Sequence, residues 1–214
     1  MPPYRLIIGD KNLSSWSLRA WLLMRQFGLP FEEVAIRLDQ PDSQSQIGQY
    51  SPAGRVPILQ CGEQTIWDSL AITEFLAERH PALPIWPRDA AARARARAVA
   101  AEMHAGFAAM REELPFDCRT NLPLPALSQA ARSDIARIQE IWRTAHRERL
   151  GGGVFLFGEF SAADAMFAPV AVRFVQHGVT LDELCRDYAA ALFRLPAMEQ
   201  WLADADAEVK QLSG

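Results

Sequence analysis

Serine hydroxyls gather at one place in this chain where they could do chemistry. Ser14-Ser15-Trp16-Ser17-Leu18-Arg19 follows an apolar run and opens a helical pattern. A hydroxyl at a helix start can donate to an anion, and the partial positive charge of the helix N-terminus acts in the same direction. Two further pieces follow. Ser51-Pro52-Ala53-Gly54-Arg55-Val56-Pro57 leads into an apolar strand, and Trp67-Asp68-Ser69-Leu70-Ala71-Ile72 opens another helix. Helix starts readily hold carboxylates, so Ser69 and the amides around it form a second candidate anion site. Each piece also has an ordinary structural reading: a serine N-cap, a proline opening a strand, an aspartate helix cap.

The elements that must position these residues are readable from the hydropathy pattern. Tyr4 to Gly9 is a compact apolar strand, and Ser15 to Phe27 has helical spacing that stops at Gly28. Phe31 to Arg37 alternates as a strand, and positions 38–54 suit a polar loop with one short helix. Val56 to Gln60 and Gln64 to Trp67 flank Cys61-Gly62-Glu63 as a hairpin, and Asp68 to His80 is a helix with an apolar stripe at Ile72, Phe75 and Leu76. Pro81 to Pro87 is a stiff connector. Everything after it reads as helical, over 89–113, 126–150, 162–177, 183–192 and 196–206. Within this half, Ser161-Ala162-Ala163-Asp164 has the layout of a capping box, a folding signal. Arg93 and Arg97 share a helix face and read as solvated surface. The expected organisation is a small α/β domain over 1–80, a linker over 81–88 and an all-helical domain over 89–214.

Taken in order, these motifs resemble the cytosolic glutathione transferase family, and the double serine is most similar to its zeta class, which includes isomerases of maleyl-type acids. The resemblance implies a thioredoxin-like α/β N-terminal domain, an all-α C-terminal domain, and glutathione as co-substrate. A thiol with a pKa near 8.5 is only a few per cent ionised at neutral pH, yet the thiolate is the nucleophile. A helix N-terminus and one hydroxyl donor can supply the roughly 2.7 kcal/mol that lowers such a pKa by two units. By resemblance that donor is Ser14, with Ser15 beside it. A cis Val56-Pro57 bond is implied, with the Val56 backbone pairing to the cysteinyl backbone of glutathione. Ser69 would take the γ-glutamyl carboxylate and Asp68 the ammonium, while Arg55 and Gln49, or Gln46, would reach the glycyl end. The electrophile pocket is expected from Trp16, His104, Phe107 and Arg173, with Arg173 a candidate for holding a substrate carboxylate and equally a snorkelling surface arginine. The zeta pattern has cysteine where this chain has Trp16. Ser17 falls inside the first helical turn and is a poorer donor candidate, and Arg19 is expected to brace the fold or the dimer rather than touch substrate.

Composition sets the outer bounds. With 214 residues, 50% of them apolar, the chain can bury a sizeable core. Its net charge of −4, with dispersed Lys and Arg, carries no nucleic-acid footprint. No apolar run approaches the roughly 20 residues that span a bilayer, and the start shows no signal-peptide layout. Cys61, Cys118 and Cys185 lack metal or disulfide spacing, so incidental thiols in a reducing cytoplasm are expected, and no metal site. The expected function is glutathione transfer to a small electrophile by a cytoplasmic homodimeric enzyme of detoxification. Glutathione-dependent cis–trans isomerisation of maleyl-type diacids, and a non-catalytic binding or scaffold role, are the alternatives.

Overall fold

A computed structural model describes residues 4–213 except Thr120 and Leu150; expectations that touch the other residues, including the last residue of the helix expected over 126–150, lie outside it. The N-terminal half runs β1 (Tyr4–Gly9), α1 (Ser15–Gln26), β2 (Phe31–Ile36), α2 (Ser43–Gly48), β3 (Ile58–Cys61), β4 (Gln64–Trp67) and α3 (Ser69–Arg79). The sheet order is β2-β1-β3-β4. β1 and β2 are parallel, as the intervening helix requires, whereas β3 runs antiparallel to β1 and β4. This is the thioredoxin-like arrangement. β1 is buried on both faces, so it reads as a continuous apolar run, with Leu6, Ile7 and Ile8 fully enclosed.

Six helices follow: α4 (Ala90–Ala105), α5 (Ala108–Glu113), α6 (Gln129–Glu148), α7 (Ala162–Gln176), α8 (Glu183–Phe193) and α9 (Pro196–Ser213). The continuous helix expected over 89–113 is broken. Gly106 is extended and Phe107 adopts φ 64°, in the left-handed region. A side chain on Gly106 would sit 2.9 Å from the Glu102 carbonyl, so only glycine lets the chain turn this tightly off α4. Nothing in the Ala- and Arg-rich pattern before it announces the break. α9 extends well past the expected end at 206.

α7 is the central helix of this half, almost wholly buried, and it packs on α1, α4 and α8. Its start is fixed by Asp164, which accepts hydrogen bonds from the Ser161 N–H at 2.9 Å, Ser161 Oγ at 3.0 Å, the Leu156 N–H at 3.0 Å and Tyr188 Oη at 3.1 Å. Four donors can hold a fully buried carboxylate that would otherwise be costly. Complete burial still pushes the Asp164 carboxyl up to about 6. Aromatic contacts fill the space around α7, with Trp142 meeting Phe167, Phe174 and Tyr188.

Candidate active site

Three stretches distant in sequence line one cleft of about 940 Å³ between the sheet half and α4. The start of α1 contributes Ser14 and Trp16, the approach to β3 contributes Arg55, Val56 and Pro57, and the start of α3 contributes Trp67, Asp68 and Ser69. His104 and Ala105 close the cleft from the end of α4. That volume lies within the range of small-molecule sites.

Ser14 is the N-cap of α1, accepting from the Ser17 N–H at 3.3 Å while its hydroxyl donates to Ser17 Oγ at 2.7 Å. Ser17 Oγ in turn accepts the Gly9 N–H at 3.0 Å, which ties the cap to the end of β1. Ser15 turns away from the cleft, within 3.4 Å of the Arg173 guanidinium. The Val56-Pro57 bond is cis and precedes β3. Asp68 has φ 77° and caps α3 through one oxygen, accepting from Leu70 N–H at 2.8 Å and Ala71 N–H at 3.4 Å. Its other oxygen meets His104 Nε2 at 3.1 Å, a contact that joins the two halves across the cleft. Ser69 is buried, and its hydroxyl has no hydrogen-bond partner among the described residues. An orphaned hydroxyl at a helix N-terminus, lining a cleft, is a ready donor for a ligand carboxylate.

Other expected residues stand elsewhere. Gln49 is exposed at the C-terminal end of α2, and Gln46 bonds to Asp42 at 2.8 Å. The face of α2 turned to the cleft carries Gln44 and Ile47 instead, three residues apart as one helix face requires. Phe107 is buried at the helix break and is not part of the cleft wall. Arg173 is neither a pocket residue nor a solvated one. It is buried and donates to the carbonyls of Leu114 and, at 3.3 Å, Arg111, so it caps the end of α5. Arg111 caps the end of α4 in the same way, donating to Met103, to Gly106 at 3.0 Å and to His104 at 3.4 Å. Spacing could not reveal the Arg173 cap, which reaches about 60 residues back along the chain.

Burial lowers the His104 imidazole below its usual value, with Arg19 and Arg111 adding to the effect and Asp68 opposing it. Its Nδ1 is buried without a hydrogen-bond partner among the described residues. Burial pushes the Cys118 and Cys185 thiols up to about 12, so neither is a nucleophile, and neither lines the cleft.

A thioredoxin-like sheet followed by a helical bundle, with serine and aspartate helix caps facing one cleft, defines the glutathione transferase class of architecture. The comparisons agree. The sequence pattern of the glutathione S-transferase N-terminal domain matches residues 13–79. A probable maleylacetoacetate isomerase of Caenorhabditis elegans is 34% identical over 97 residues, which is 45% of this chain and 44% of that protein. A zeta-class glutathione S-transferase of Euphorbia esula is 36% identical over 77 residues, 36% of this chain and 34% of that protein. The match thus spans less than half the length of these relatives. Over the whole chain, a glutathione transferase homologue from Burkholderia GL BGR1, solved with bound glutathione, aligns with a TM-score of 0.70 and 25% identity, covering 96% of this chain and 98% of that one. Residues 13–79 thus carry the glutathione S-transferase N-terminal domain pattern, and the chain as a whole is similar in fold to a glutathione transferase homologue.

Proposed function

We propose that the protein is a glutathione transferase whose Ser14 hydroxyl stabilises the thiolate of glutathione for attack on an electrophilic carbon. The observation that carries this reading is the convergence of Ser14, Val56-Pro57 and the unpartnered Ser69 hydroxyl on one cleft. Ser69 would donate to the γ-glutamyl carboxylate, and Asp68 would meet the ammonium through the oxygen it turns to His104. The Val56 backbone would pair with the cysteinyl residue as an added strand does. Arg55 and Gln44 stand on the side where the glycyl carboxylate would lie. With an aryl halide, the sulfur forms a bond to the ring carbon, the carbon–halogen bond breaks, and halide leaves with the electron pair. The thiol proton passes to solvent before attack.

Retention on immobilised glutathione, followed by turnover of 1-chloro-2,4-dinitrobenzene, tests the proposal. Free elution together with no turnover would overturn it. Isomerisation of maleyl-type diacids is the second reading, favoured by the name of the nematode relative. It is the weaker one, because Arg173, the residue expected to hold a substrate carboxylate, stands off the cleft and on main-chain carbonyls. We extend the first reading to a cytoplasmic homodimer acting in detoxification; light scattering should give about twice the chain mass of 23.9 kDa.

A further inference from the structure

Behind the cleft lies a second polar region. Arg19, 1% exposed, and Arg173, 7% exposed, are joined by Arg111, and none of the three is on the cleft surface. Arg111 and Arg173 are held by main-chain carbonyls, whereas Arg19 Nε and Nη1 are buried with no partner among the described residues. The three guanidiniums repel one another, and burial together with that repulsion holds Arg19 well below the usual arginine value. Buried charges in folded proteins are ordinarily paired with a counter-charge. Here Asp68 is the opposing charge felt by Arg19 and Asp134 that felt by Arg111, and neither forms an ion pair with them among the described residues.

Trp16 touches two members of this cluster and also lines the cleft. The Trp16 ring lies 4.3 Å from the Arg19 guanidinium carbon and 4.8 Å from that of Arg111, and meets the His104 ring edge-on at 5.2 Å. An indole over two guanidiniums is held by cation–π attraction as well as by packing. We propose that Trp16 sets which electrophiles this cleft accepts: it shuts the guanidinium cluster away, so uncharged electrophiles bind against the indole while carboxylate-bearing ones find no cation on that side of the cleft, Arg55 lying at the end proposed for the glycyl carboxylate. The inference rests on the transferase reading and adds its substrate class. With the indole present, a carboxylate entering the cleft would lose its hydration and meet an apolar wall, which is costly. Without it, the same carboxylate would face Arg19, whose Nε and Nη1 lack partners, in the charge-assisted geometry that guanidinium favours.

The test compares wild type with Trp16→Phe, Trp16→Leu and Trp16→Ala. Succinate is titrated calorimetrically into each protein without glutathione, and each is assayed with 1-chloro-2,4-dinitrobenzene and with its acidic counterpart 4-chloro-3-nitrobenzoate. Any succinate binding by wild type and Trp16→Phe should be confined to the Arg55 and Ser69 end of the cleft and be unaffected by Arg19→Met. Trp16→Ala and Trp16→Leu should bind it tighter by about tenfold or more, and Arg19→Met in the Trp16→Ala background should remove that gain. The ratio of kcat/KM for the acid over the neutral substrate should rise about tenfold or more when the ring is lost. Should Trp16→Ala fail to fold, Trp16→Leu keeps most of the apolar volume and answers the same question. Wild type binding succinate as tightly as the ring-deleted variants would overturn the proposal, as would no binding by any folded variant. The titration needs no glutathione, so it decides the gate even if transfer is never observed; transfer without any change in succinate binding would sink the gate alone.

Discussion

At the scale of single residues, Ser14 directs its one hydroxyl proton to Ser17 Oγ at 2.7 Å. For Ser14 to donate to a thiolate that proton must turn outward, and Ser17 can then donate its own proton back to Ser14 Oγ. On the proposed reading Ser17 would act as a positioning residue, held by the Gly9 N–H. Ser14→Ala should lower turnover by about 10- to 1000-fold, the range for loss of one positioned donor, with glutathione binding nearly unchanged. Ser17→Ala should lower kcat less and leave KM alone; an unchanged kcat would remove the relay. Ser69→Ala should weaken glutathione binding in a calorimetric titration, because its contact would be equal in ground and transition states. Ser14 and Ser69 were legible in the sequence because helix caps obey local rules. Ser17 and Gln44 were not, since their use depends on which face of the first turn, or of α2, meets the cleft. His104 carries a pH prediction. Its folded value lies below that of the unfolded chain, so its neutral form is favoured on folding. The stability linked to it is present above the ordinary imidazole pKa of about 6.5 and declines as pH falls below that value. Thermal midpoints compared between pH 7.5 and 5.5 should therefore fall further for wild type than for His104→Gln, and equal falls would contradict the assignment.

At the scale of elements, the ends of α4 and α5 are each closed by an arginine, Arg111 from the next helix and Arg173 from far along the chain. Cationic donors suit helix C-termini, where carbonyls lack partners and the partial charge is negative. Arg173→Ala would leave the carbonyls of Leu114 and Arg111 without this donor. A cost of about 1–3 kcal/mol follows, visible as a lower urea midpoint. Activity on neutral and acidic substrates should fall together, with Arg173→Lys recovering part of the stability. Selective loss on diacids would restore the carboxylate-holding role and count against the cap. The sequence carried most of the elements, since strand runs, proline breaks and caps are short-range signals. It could not carry the interruption at Gly106-Phe107, because alanine and arginine continue to favour helix on both sides. Nor could it place residues 19, 111 and 173 together, which only the packing of α1, α5 and α7 decides.

At the scale of the whole molecule, the sheet half and the last helix meet over one buried lysine. Lys11 Nζ lies 2.8 Å from Glu33 of β2 and 2.6 Å from Asp204 of α9, and its side chain is 7% exposed. The ammonium also stands 5.0 Å from the Trp21 ring centroid and 5.7 Å from that of Trp201, which pack edge to face. Beside it the Asn12 N–H donates to Glu208 at 3.1 Å and Asn12 Oδ1 accepts the Cys118 N–H at 3.0 Å, so the loop between β1 and α1 is fastened to the helical half on both sides. That loop leads directly into Ser14, and the latch therefore fixes the start of α1 as well as the junction of the halves. Lys11→Met keeps the apolar stem and leaves two carboxylates facing each other without a cation. Breaking a buried pair costs 3–5 kcal/mol, and the partial exposure of Glu33 and Asp204 puts the expected loss near 3 kcal/mol. The measurement is urea unfolding followed by tryptophan fluorescence and by far-ultraviolet circular dichroism. Both midpoints should fall in Lys11→Met, with fluorescence, to which Trp21 and Trp201 contribute among six tryptophans, changing at lower urea than the helical signal as α9 lifts first. Lys11→Arg should recover part of the loss. Unchanged midpoints by both probes would reduce Lys11 to a solvated contact and leave the hold on α9 to the aromatic packing alone.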